Sequence, residues 1–323
     1  MVQYYDNDFS FEEHQIEMEQ KLRSMPSTSV GTEQDTIIDD DERTKLHPNT
    51  QAQCWNGFHT SHSTGNFFKP RRYIMKCFPC ILEHNVPEES EGADQPMRLI
   101  LEVGCGSGSS CLPILRNCFQ NTKVLACDCS EKAVDVCKSV VLSSTGSTNF
   151  HAFVADPSLD CEEIDTSFAQ DVKNAHMQLL TEDNNGIEND DIGRADIVLM
   201  VFVLSAVPPK RVPRFIKQIY DATKSAGKIC FRDYALYDLP MMRFKETHFV
   251  ASECSDSDGK TPRLYERGDG TLSRFFNLDT IREIFESVGF ITEELRYATV
   301  YNDNRKTGER LKRAFVHAVF RKP

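Results

Sequence analysis

Three glycines at alternate positions, Gly104, Gly106 and Gly108, follow the apolar run Leu99–Val103, which carries the acidic Glu102. An apolar run of this kind is typical of a buried parallel strand, and the glycines allow the next turn to bring its backbone against a ligand. Several classes of nucleotide-binding enzyme use such a turn, and it also occurs as a plain tight turn. By itself it indicates a ligand site without naming the ligand.

Two further acidic residues follow apolar runs. Lys123–Cys127 is followed by Asp128, and Phe150–Ala155 is followed by Asp156. An acidic side chain at the end of a second strand accepts hydrogen bonds from both ribose hydroxyls of a nucleoside, which NAD and S-adenosylmethionine share. The alternate glycine spacing and Asp156, which is placed to meet an adenine amino group, favour S-adenosylmethionine. Each aspartate alone would also suit a helix cap or a solvated loop.

The strands that hold these residues alternate with helices. Apolar runs predict a fourth strand over Ala195–Val203 and a fifth over Gly227–Phe231, while Ile291–Tyr301 and Arg313–Phe320 predict a terminal hairpin. This order predicts an α/β fold with a doubly wound, Rossmann-like parallel sheet and a C-terminal antiparallel β-hairpin.

Acidic residues are concentrated in two segments of the chain. Residues 1–50 hold twelve acidic and four basic residues, and residues 156–196 hold twelve acidic and two basic residues. We expect residues 1–50 to be mostly disordered, with at most a short helix over 10–24, and residues 157–194 to be a disordered acidic insertion. Removal of residues 1–45 should then leave activity intact. The rest of the chain is net positive although the whole carries −12, so a polyanionic partner is compatible with the sequence.

Apolar runs and cysteine spacing indicate whether the protein spans a membrane, is secreted or binds a metal. No run of eighteen apolar residues is present, and the acidic N-terminus is unlike a signal peptide. Twelve scattered cysteines predict reduced thiols, and the lone pair Cys77 and Cys80 has no second ligand pair, so we expect no metal site. We therefore expect no membrane contact and a cytoplasmic location, with the nucleus left open.

Residues 51–96 read as an N-terminal arm followed by a linker, ahead of a domain over 97–323. Aromatic residues in the arm alternate with cations, a composition suited to stacking bases and meeting phosphates. An arm that merely packs on the next domain would have the same composition. The residues concerned are Trp55, Phe58, Phe67, Phe68, Lys69, Arg71, Arg72 and Tyr73.

Several segments together resemble one family. In chain order they are WNGFHTSHSTGNFFKPR, LEVGCGSG, ACDCSEKAV, VFVLSAVPP, CFRDYALYDLPMMRF, RGDGTLSRFF and VFRKP. From about Gln51 to Pro323 the chain resembles the methyltransferase-like family that makes 3-methylcytidine in the anticodon loop of tRNA. The resemblance implies a seven-stranded class I methyltransferase sheet, S-adenosylmethionine as methyl donor with S-adenosylhomocysteine as product, and methylation at position 32. Some relatives work with a partner such as an aminoacyl-tRNA synthetase.

The resemblance also assigns the cofactor contacts. They correspond to Trp55, His59, Gly104, Asp128, Asp156 and Val201, and we expect Glu102, Gly106 and Phe202 at the same site. Three positions depart from the family pattern. His59 stands where a tyrosine is usual, Pro70 interrupts an FFKDR-like motif, and Tyr73 replaces a tryptophan.

The reaction implied by the resemblance needs little acid–base assistance, because cytosine N3 carries an in-plane lone pair. The enzyme must free the Watson–Crick edge, align N3 with the sulfonium methyl and exclude water. At the end of the fifth strand, we expect Asp233 to stabilise the migrating positive charge and Arg232 to bind the base carbonyl oxygen or a phosphate. Either Tyr234 or Phe202 is expected to stack on the ring. A salt bridge between Arg232 and Asp233 is the structural alternative.

Basic residues on both sides of the expected site predict phosphate contacts. They are Lys69, Arg71, Arg72, Arg243, Lys245, Arg267 and Arg274, with Lys312 and Arg313 in the terminal hairpin. Two other functions are compatible with the sequence: a methyltransferase for a protein or small molecule, and a catalytically silent RNA-binding partner.

Overall fold

A seven-stranded sheet forms the centre of the fold. The computed structural model describes residues 6–24, 49–64, 67–83, 97–118, 121–159, 167–180, 192–252, 262–304 and 307–323. The strands of the sheet are β1 (Arg98–Val103), β2 (Thr122–Asp128), β3 (Phe150–Val154), β4 (Ala195–Val201), β5 (Thr223–Tyr234), β9 (Ile291–Asp303) and β10 (Arg310–Arg321). Their order is β3-β2-β1-β4-β5-β10-β9. The predicted seven-stranded doubly wound sheet is confirmed.

The strand directions place the site. Strands β1 to β5 are parallel, whereas β10 is antiparallel to both β5 and β9, so the predicted C-terminal hairpin is confirmed. Val103 pairs with Cys127 of β2 and with Met200 of β4. The strand order reverses between β1 and β4, and ligands of such sheets bind in the crevice at that switch point.

Helices cover both faces of the sheet. They are α1 (Phe11–Ser24), α2 (Asn49–Ser61), α3 (Ile74–Cys77), α4 (Cys111–Asn117), α5 (Glu131–Thr145), α6 (Phe168–Met177), α7 (Val212–Asp221), α8 (Leu239–Arg243) and α9 (Leu278–Glu286). Side chains of β1 alternate between the two layers. Leu99 and Leu101 belong to the core cluster that includes residues of α1, α6, α7 and α9, whereas Ile100 belongs to the cluster that includes residues of α3, α4 and α5.

The acidic segment expected to be a disordered insertion contains a helix. Helix α6 packs Phe168, Val172 and Ala175 into the core. A connection between the parallel strands β3 and β4 has to cross one face of the sheet, and α6 makes part of that crossing. Within the expected insertion, residues 160–166 and 181–191 lie outside the described residues.

The N-terminal segment is also packed where it is described. The helix expected within residues 10–24 is present as α1, and it buries Phe11 and Met18 in the core. Before it, Asp8 donates its backbone N–H to the Thr299 carbonyl oxygen on the outer edge of β9 (2.9 Å). This part of the chain is therefore not disordered, and residues 25–48 lie outside the described residues.

A small antiparallel sheet was not predicted. Its strands are β6 (Phe249–Ser252), β7 (Arg263–Glu266) and β8 (Leu272–Phe275), in that order. Phe276 forms a bridge with Ala235, just after β5. The small sheet thus extends the carboxyl end of β5, where it contributes a wall of the site described next.

Candidate active site

A cavity of about 660 Å³ opens at the carboxyl ends of the parallel strands. This volume lies within the range of small-molecule and cofactor sites. Its walls come from the glycine turn after β1, the residues after β2, β3 and β4, helix α2, the loop before β8, and the terminal hairpin. Gly104, Asp128, Asp156 and Tyr234, which stand at the ends of four of the strands, all line this cavity.

The glycine turn is held in a conformation that favours glycine. Gly104, Gly106 and Gly108 have φ values of 69°, 52° and 78°. A Cβ atom on Gly104 would lie 2.5 Å from Cγ2 of Val203, so a side chain there would collide with the residue after β4. The Gly106 amide donates to Oδ2 of Asp128 (2.9 Å), which fixes the turn against the end of β2.

Asp128 retains acceptor capacity toward the cavity. Its Oδ1 accepts from the Ser130 amide (3.0 Å), and burial raises the pKa of this carboxyl to about 6 although the two amide donors oppose the shift. The carboxylate also has a hydrogen bond with the Cys129 side chain. Because an ionised carboxylate offers about four acceptor positions, capacity remains for a ribose hydroxyl. Asp156 also lines the cavity, with Oδ1 held by the Ser158 amide (2.9 Å).

Helix α2 of the arm spans the cavity. Oδ1 of Asn56 accepts from Ser130 Oγ (2.7 Å) and from the Lys132 amide (3.1 Å) at the start of α5. At the other side, Nε2 of Gln51 donates to the Gly270 carbonyl oxygen (3.2 Å). The arm is therefore a structural part of the site.

The aromatic residues of α2 face the cavity. Trp55 and His59 both line the cavity, and their ring centroids are 6.2 Å apart. Burial lowers the pKa of His59 to about 4, so its ring is neutral at pH 7. The neutral imidazole supplies a flat wall over the glycine turn at a position where the related family has a tyrosine.

Arg71 and Glu102 hold the arm to the glycine turn. Nη1 of Arg71 donates to Ser110 Oγ (2.9 Å) and lies 3.9 Å from Oε1 of Glu102. The guanidinium also lies 5.4 Å from the centroid of the Phe202 ring. Glu102 is fully buried, Cys111 donates its thiol to Oε2 (2.7 Å), and the carboxyl is not part of the cavity wall. We therefore correct two expectations: Glu102 lies behind the cofactor site, and Arg71 seats the arm while lining the cavity.

Phe202 and Tyr234 form an aromatic wall of the cavity. Their rings stack at 4.9 Å with an interplanar angle of 29°. Phe202 has φ 61°, a strained value for a bulky residue, and its amide donates to the Arg232 carbonyl oxygen (2.9 Å). Val201 precedes it and lines the cavity. The wall offers a flat apolar surface beside the nucleoside-type subsite.

Comparison with known proteins gives the family. A family model described as a methyltransferase domain matches residues 78–295. The tRNA N(3)-methylcytidine methyltransferase Mettl2 of Drosophila melanogaster is 30% identical over 270 residues, which cover 83% of this chain and 70% of that one. The chain belongs to the tRNA N(3)-methylcytidine methyltransferase family. Its methyl donor is accordingly S-adenosylmethionine.

A yeast relative and a solved bacterial structure are also similar to this methyltransferase. The tRNA(Thr) (cytosine(32)-N(3))-methyltransferase of Saccharomyces cerevisiae is 30% identical over 281 residues, which cover 86% of this chain and 38% of that one. A SAM-dependent methyltransferase of Anabaena variabilis shares the fold at 11% identity, with a TM-score of 0.53 over 84% of this chain and 95% of that one.

The cavity of the methyltransferase fits the methyl donor. Asp128 presents free acceptor positions, the glycine turn presents backbone without side chains, and Trp55 and Val201 supply apolar surface. Among the residues that the structure describes, no cluster of three or more metal-ligating side chains occurs. None of the described helices combines the length and the apolar character needed to cross a bilayer.

Two of the predicted catalytic residues of the methyltransferase lie behind the cavity wall. Asp233 is fully buried, and its Oδ2 accepts from the Ser205 amide (3.0 Å). Arg232 is also buried, with Nη1 3.6 Å from Sγ of Cys77 and 4.0 Å from Oδ2 of Asp6. Because neither side chain reaches the cavity, both expectations are corrected: Asp233 lies behind Ser205, which lines the cavity, and Arg232 is part of the interior.

The predicted phosphate contacts divide by exposure. Lys69, Arg72, Arg243 and Lys245 are exposed. Arg274 is buried with its guanidinium 4.8 Å from the Phe276 ring centroid, so the prediction of a phosphate contact there is wrong. Its position in β8, a strand buried along its length, is the reason.

Three arginines on the substrate side line the cavity. Arg267 donates through Nη1 to the Leu272 carbonyl oxygen (2.9 Å), and Arg313 makes a two-point contact with Asp238 (2.9 and 2.8 Å). Arg211 was missed by the sequence analysis, although its place just after the VFVLSAVPP segment is a signal that could have found it. The three guanidinium groups add positive charge to the lining of the cavity, and that of Arg313 is paired with Asp238.

Proposed function

We propose that this methyltransferase forms 3-methylcytidine in the anticodon loop of tRNA, at position 32. The observation that carries the proposal is the continuity of one cavity, from the nucleoside-type subsite at Asp128 to the Phe202–Tyr234 wall and its cationic rim. The family supports the tRNA substrate and the N3 atom. The yeast relative is a tRNA(Thr) (cytosine(32)-N(3))-methyltransferase, which supports the position.

The donor half of the reaction uses the residues around the glycine turn. Asp128 would accept the ribose hydroxyls, Asp156 would meet the adenine amino group, and Trp55 with His59 would close the site from the arm. When bound, S-adenosylmethionine supplies an electrophilic methyl group on a sulfonium. These residues then orient the donor and keep water from the methyl group.

The acceptor half uses the aromatic wall. A cytosine ring stacked on Phe202 or Tyr234 presents N3 in its own plane, and this nitrogen needs no general base because its lone pair is free. Positive charge moves from the donor to the base during transfer. The carboxylate of Asp128, which lines the cavity, would stabilise that charge throughout. Asp233 lies behind the cavity wall and would hold Ser205 in position by accepting its amide.

We also propose a cellular location and a possible protein partner. We infer a cytoplasmic enzyme that works on tRNA either alone or with an accessory protein such as an aminoacyl-tRNA synthetase. The family resemblance supports this part. Comparing activity on purified tRNA with and without cell extract tests the requirement for a partner.

Transfer of a labelled methyl group to total tRNA, followed by nucleoside analysis, tests the reaction. We expect the label in 3-methylcytidine, and its loss with Asp128→Ala. Label in another nucleoside, or in protein but not in tRNA, would overturn the proposal. Calorimetry of cofactor binding distinguishes a silent RNA-binding protein, which would bind neither donor nor product.

A further inference from the structure

Four aromatic side chains form a cluster at the rim of the cavity. We call Phe58, His62, Phe67 and Phe68 the rim cluster. The Phe67 ring lies 4.7 Å from Phe68, 5.2 Å from Phe58 and 4.2 Å from His62 (centroid distances), each in an edge-to-face arrangement. Such arrangements are favourable for aromatic pairs. The cluster is therefore an ordered group of rings.

Two members of the rim cluster are held by the arm, and the other two are partly exposed to solvent. Phe58 and His62 are one turn apart on the arm, and Nδ1 of His62 donates to the Phe58 carbonyl oxygen (2.8 Å). By contrast, Phe67 is 53% exposed and Phe68 is 37% exposed, and both line the cavity. Two phenylalanines thus leave apolar surface in water beside the site, which is unfavourable unless a ligand covers them.

The charge around the rim cluster is positive. Lys69 and Arg72 are exposed directly after it, and residues 58–72 include neither Asp nor Glu. Rings bordered by cations are the surface that single-stranded nucleic acids use, because each base has an apolar face and each nucleotide carries a phosphate. A target cytidine that reaches the Phe202–Tyr234 wall must bring its neighbouring nucleotides across the rim.

We propose that the rim cluster stacks the base of a nucleotide adjacent to the target cytidine, with Lys69 and Arg72 contacting the phosphate backbone. The inference rests on the proposed function and adds a second subsite to it. Stacking depends on contact with the face of a base and not on the hydrogen-bonding groups at its edge. The subsite therefore accepts any of the four bases and rejects an abasic nucleotide.

The test is a double-mutant cycle between protein and RNA. The substrates are anticodon stem-loops with either a normal base or an abasic site at each neighbour of the target cytidine. We expect Phe67→Ala with Phe68→Ala to raise KM for the normal stem-loop by about 10-fold or more. One of the two abasic sites should raise KM of the wild type equally, and this abasic stem-loop should show no further loss with the variant.

Two control variants accompany the test. Phe67→Tyr keeps the ring and should retain the wild-type KM. Ile291→Ala removes a similarly exposed apolar side chain (43% exposed) at the start of β9 and should change nothing. Cofactor affinity by calorimetry and the melting temperature should be the same for every variant.

The outcomes separate the inference from the proposed function. If the wild type forms no 3-methylcytidine in tRNA or stem-loop, the proposed function fails. If it does so and neither the alanine variant nor an abasic neighbour changes KM, the stacking subsite is disproved. A loss of cofactor affinity in the Phe67→Ala, Phe68→Ala variant also overturns the inference. The same holds if this variant loses activity only in assays that contain an added partner protein.

Discussion

Nη1 of Arg71, in the arm, lies 3.9 Å from Oε1 of Glu102 at the end of β1. Burial raises the pKa of Glu102 to about 7, although the Arg71 charge opposes the shift. In the unfolded chain the same carboxyl has its ordinary pKa of 4.5. The folded protein therefore binds a proton at this residue between about pH 4.5 and pH 7 that the unfolded chain has released.

Glu102→Gln should remove this proton linkage. For the wild type, the Glu102 contribution to the free energy of unfolding falls as pH rises from 4.5 to 7, by on the order of 3 kcal/mol, because ionisation is disfavoured in the folded state. Relative to the wild type, the glutamine variant should gain stability over the same interval. Urea unfolding at pH 5 and pH 7.5 measures the difference, and the exposed substitution Glu309→Gln is the control. Parallel pH profiles for wild type and Glu102→Gln would contradict the buried carboxyl.

Asp128→Ala should weaken cofactor binding by about 30-fold or more. The substitution removes the acceptor for the ribose hydroxyls and the acceptor of the Gly106 amide, and hydrogen bonds to charged groups contribute about 1.5–3 kcal/mol each. For the wild type, the dissociation constant of the cofactor should rise as pH falls through about 6, since protonation removes acceptor capacity. Calorimetry at pH 5.5 and 7.5 measures both effects. Asp128→Asn should lose most of the pH dependence, and an unchanged affinity in the alanine variant would remove Asp128 from the cofactor site.

The role of Asp233 can be separated into position and charge. Asp233→Asn keeps an oxygen for the Ser205 amide but loses the acceptor of the Tyr234 amide (2.8 Å), so it should lower turnover less than Asp233→Ala does. Asp233→Ala leaves that buried amide without its acceptor and should lower turnover at least 10-fold, with cofactor affinity little changed. Steady-state kinetics with tRNA decide between the roles: equal loss of kcat in both variants would show that the negative charge itself is required.

The N-terminal helix should contribute to stability. Phe11 is buried and its ring stacks on Tyr297 at 3.4 Å, so Phe11→Ala should cost about 3 kcal/mol and lower the melting temperature by several degrees. Ile16→Ala, on the same helix at 56% exposure, is the matched control and should have little effect. Deletion of residues 1–45, first expected to be harmless, should also destabilise the enzyme. Equal melting temperatures for the Phe11 and Ile16 variants would show that α1 is dispensable.

Local sequence patterns predicted the centre of the site well. The glycine turn, Asp128 and Asp156 follow apolar strands, and parallel strands bring their carboxyl ends to one edge, so these residues had to meet there. The terminal hairpin was predictable for a similar reason, because alternation and a polar loop are encoded over a few adjacent residues.

Features that depend on distant contacts were not predictable. Helix α6 has a single apolar face within an acidic segment, so its composition resembled a disordered insertion. The strands of the small sheet are four residues long and gain their position from packing at the end of β5. Alternation along β5 shows that Arg232 and Asp233 point to opposite faces, yet it does not show that Asp6 and Ser205 cover them.

The contacts of residues 6–9 with β9 have a consequence for self-association. β9 is the last strand of the sheet, and its Thr299 exchanges backbone hydrogen bonds with Asp6 and Asp8 (2.7 and 2.9 Å) while the Tyr301 amide binds the Asp8 carboxylate (2.8 Å). A second copy of the chain cannot add a strand at these positions without displacing the first chain's own N-terminal residues. Residues 6–9 therefore protect this part of the β9 edge against aggregation by strand addition. A chain that lacks these residues would expose the edge.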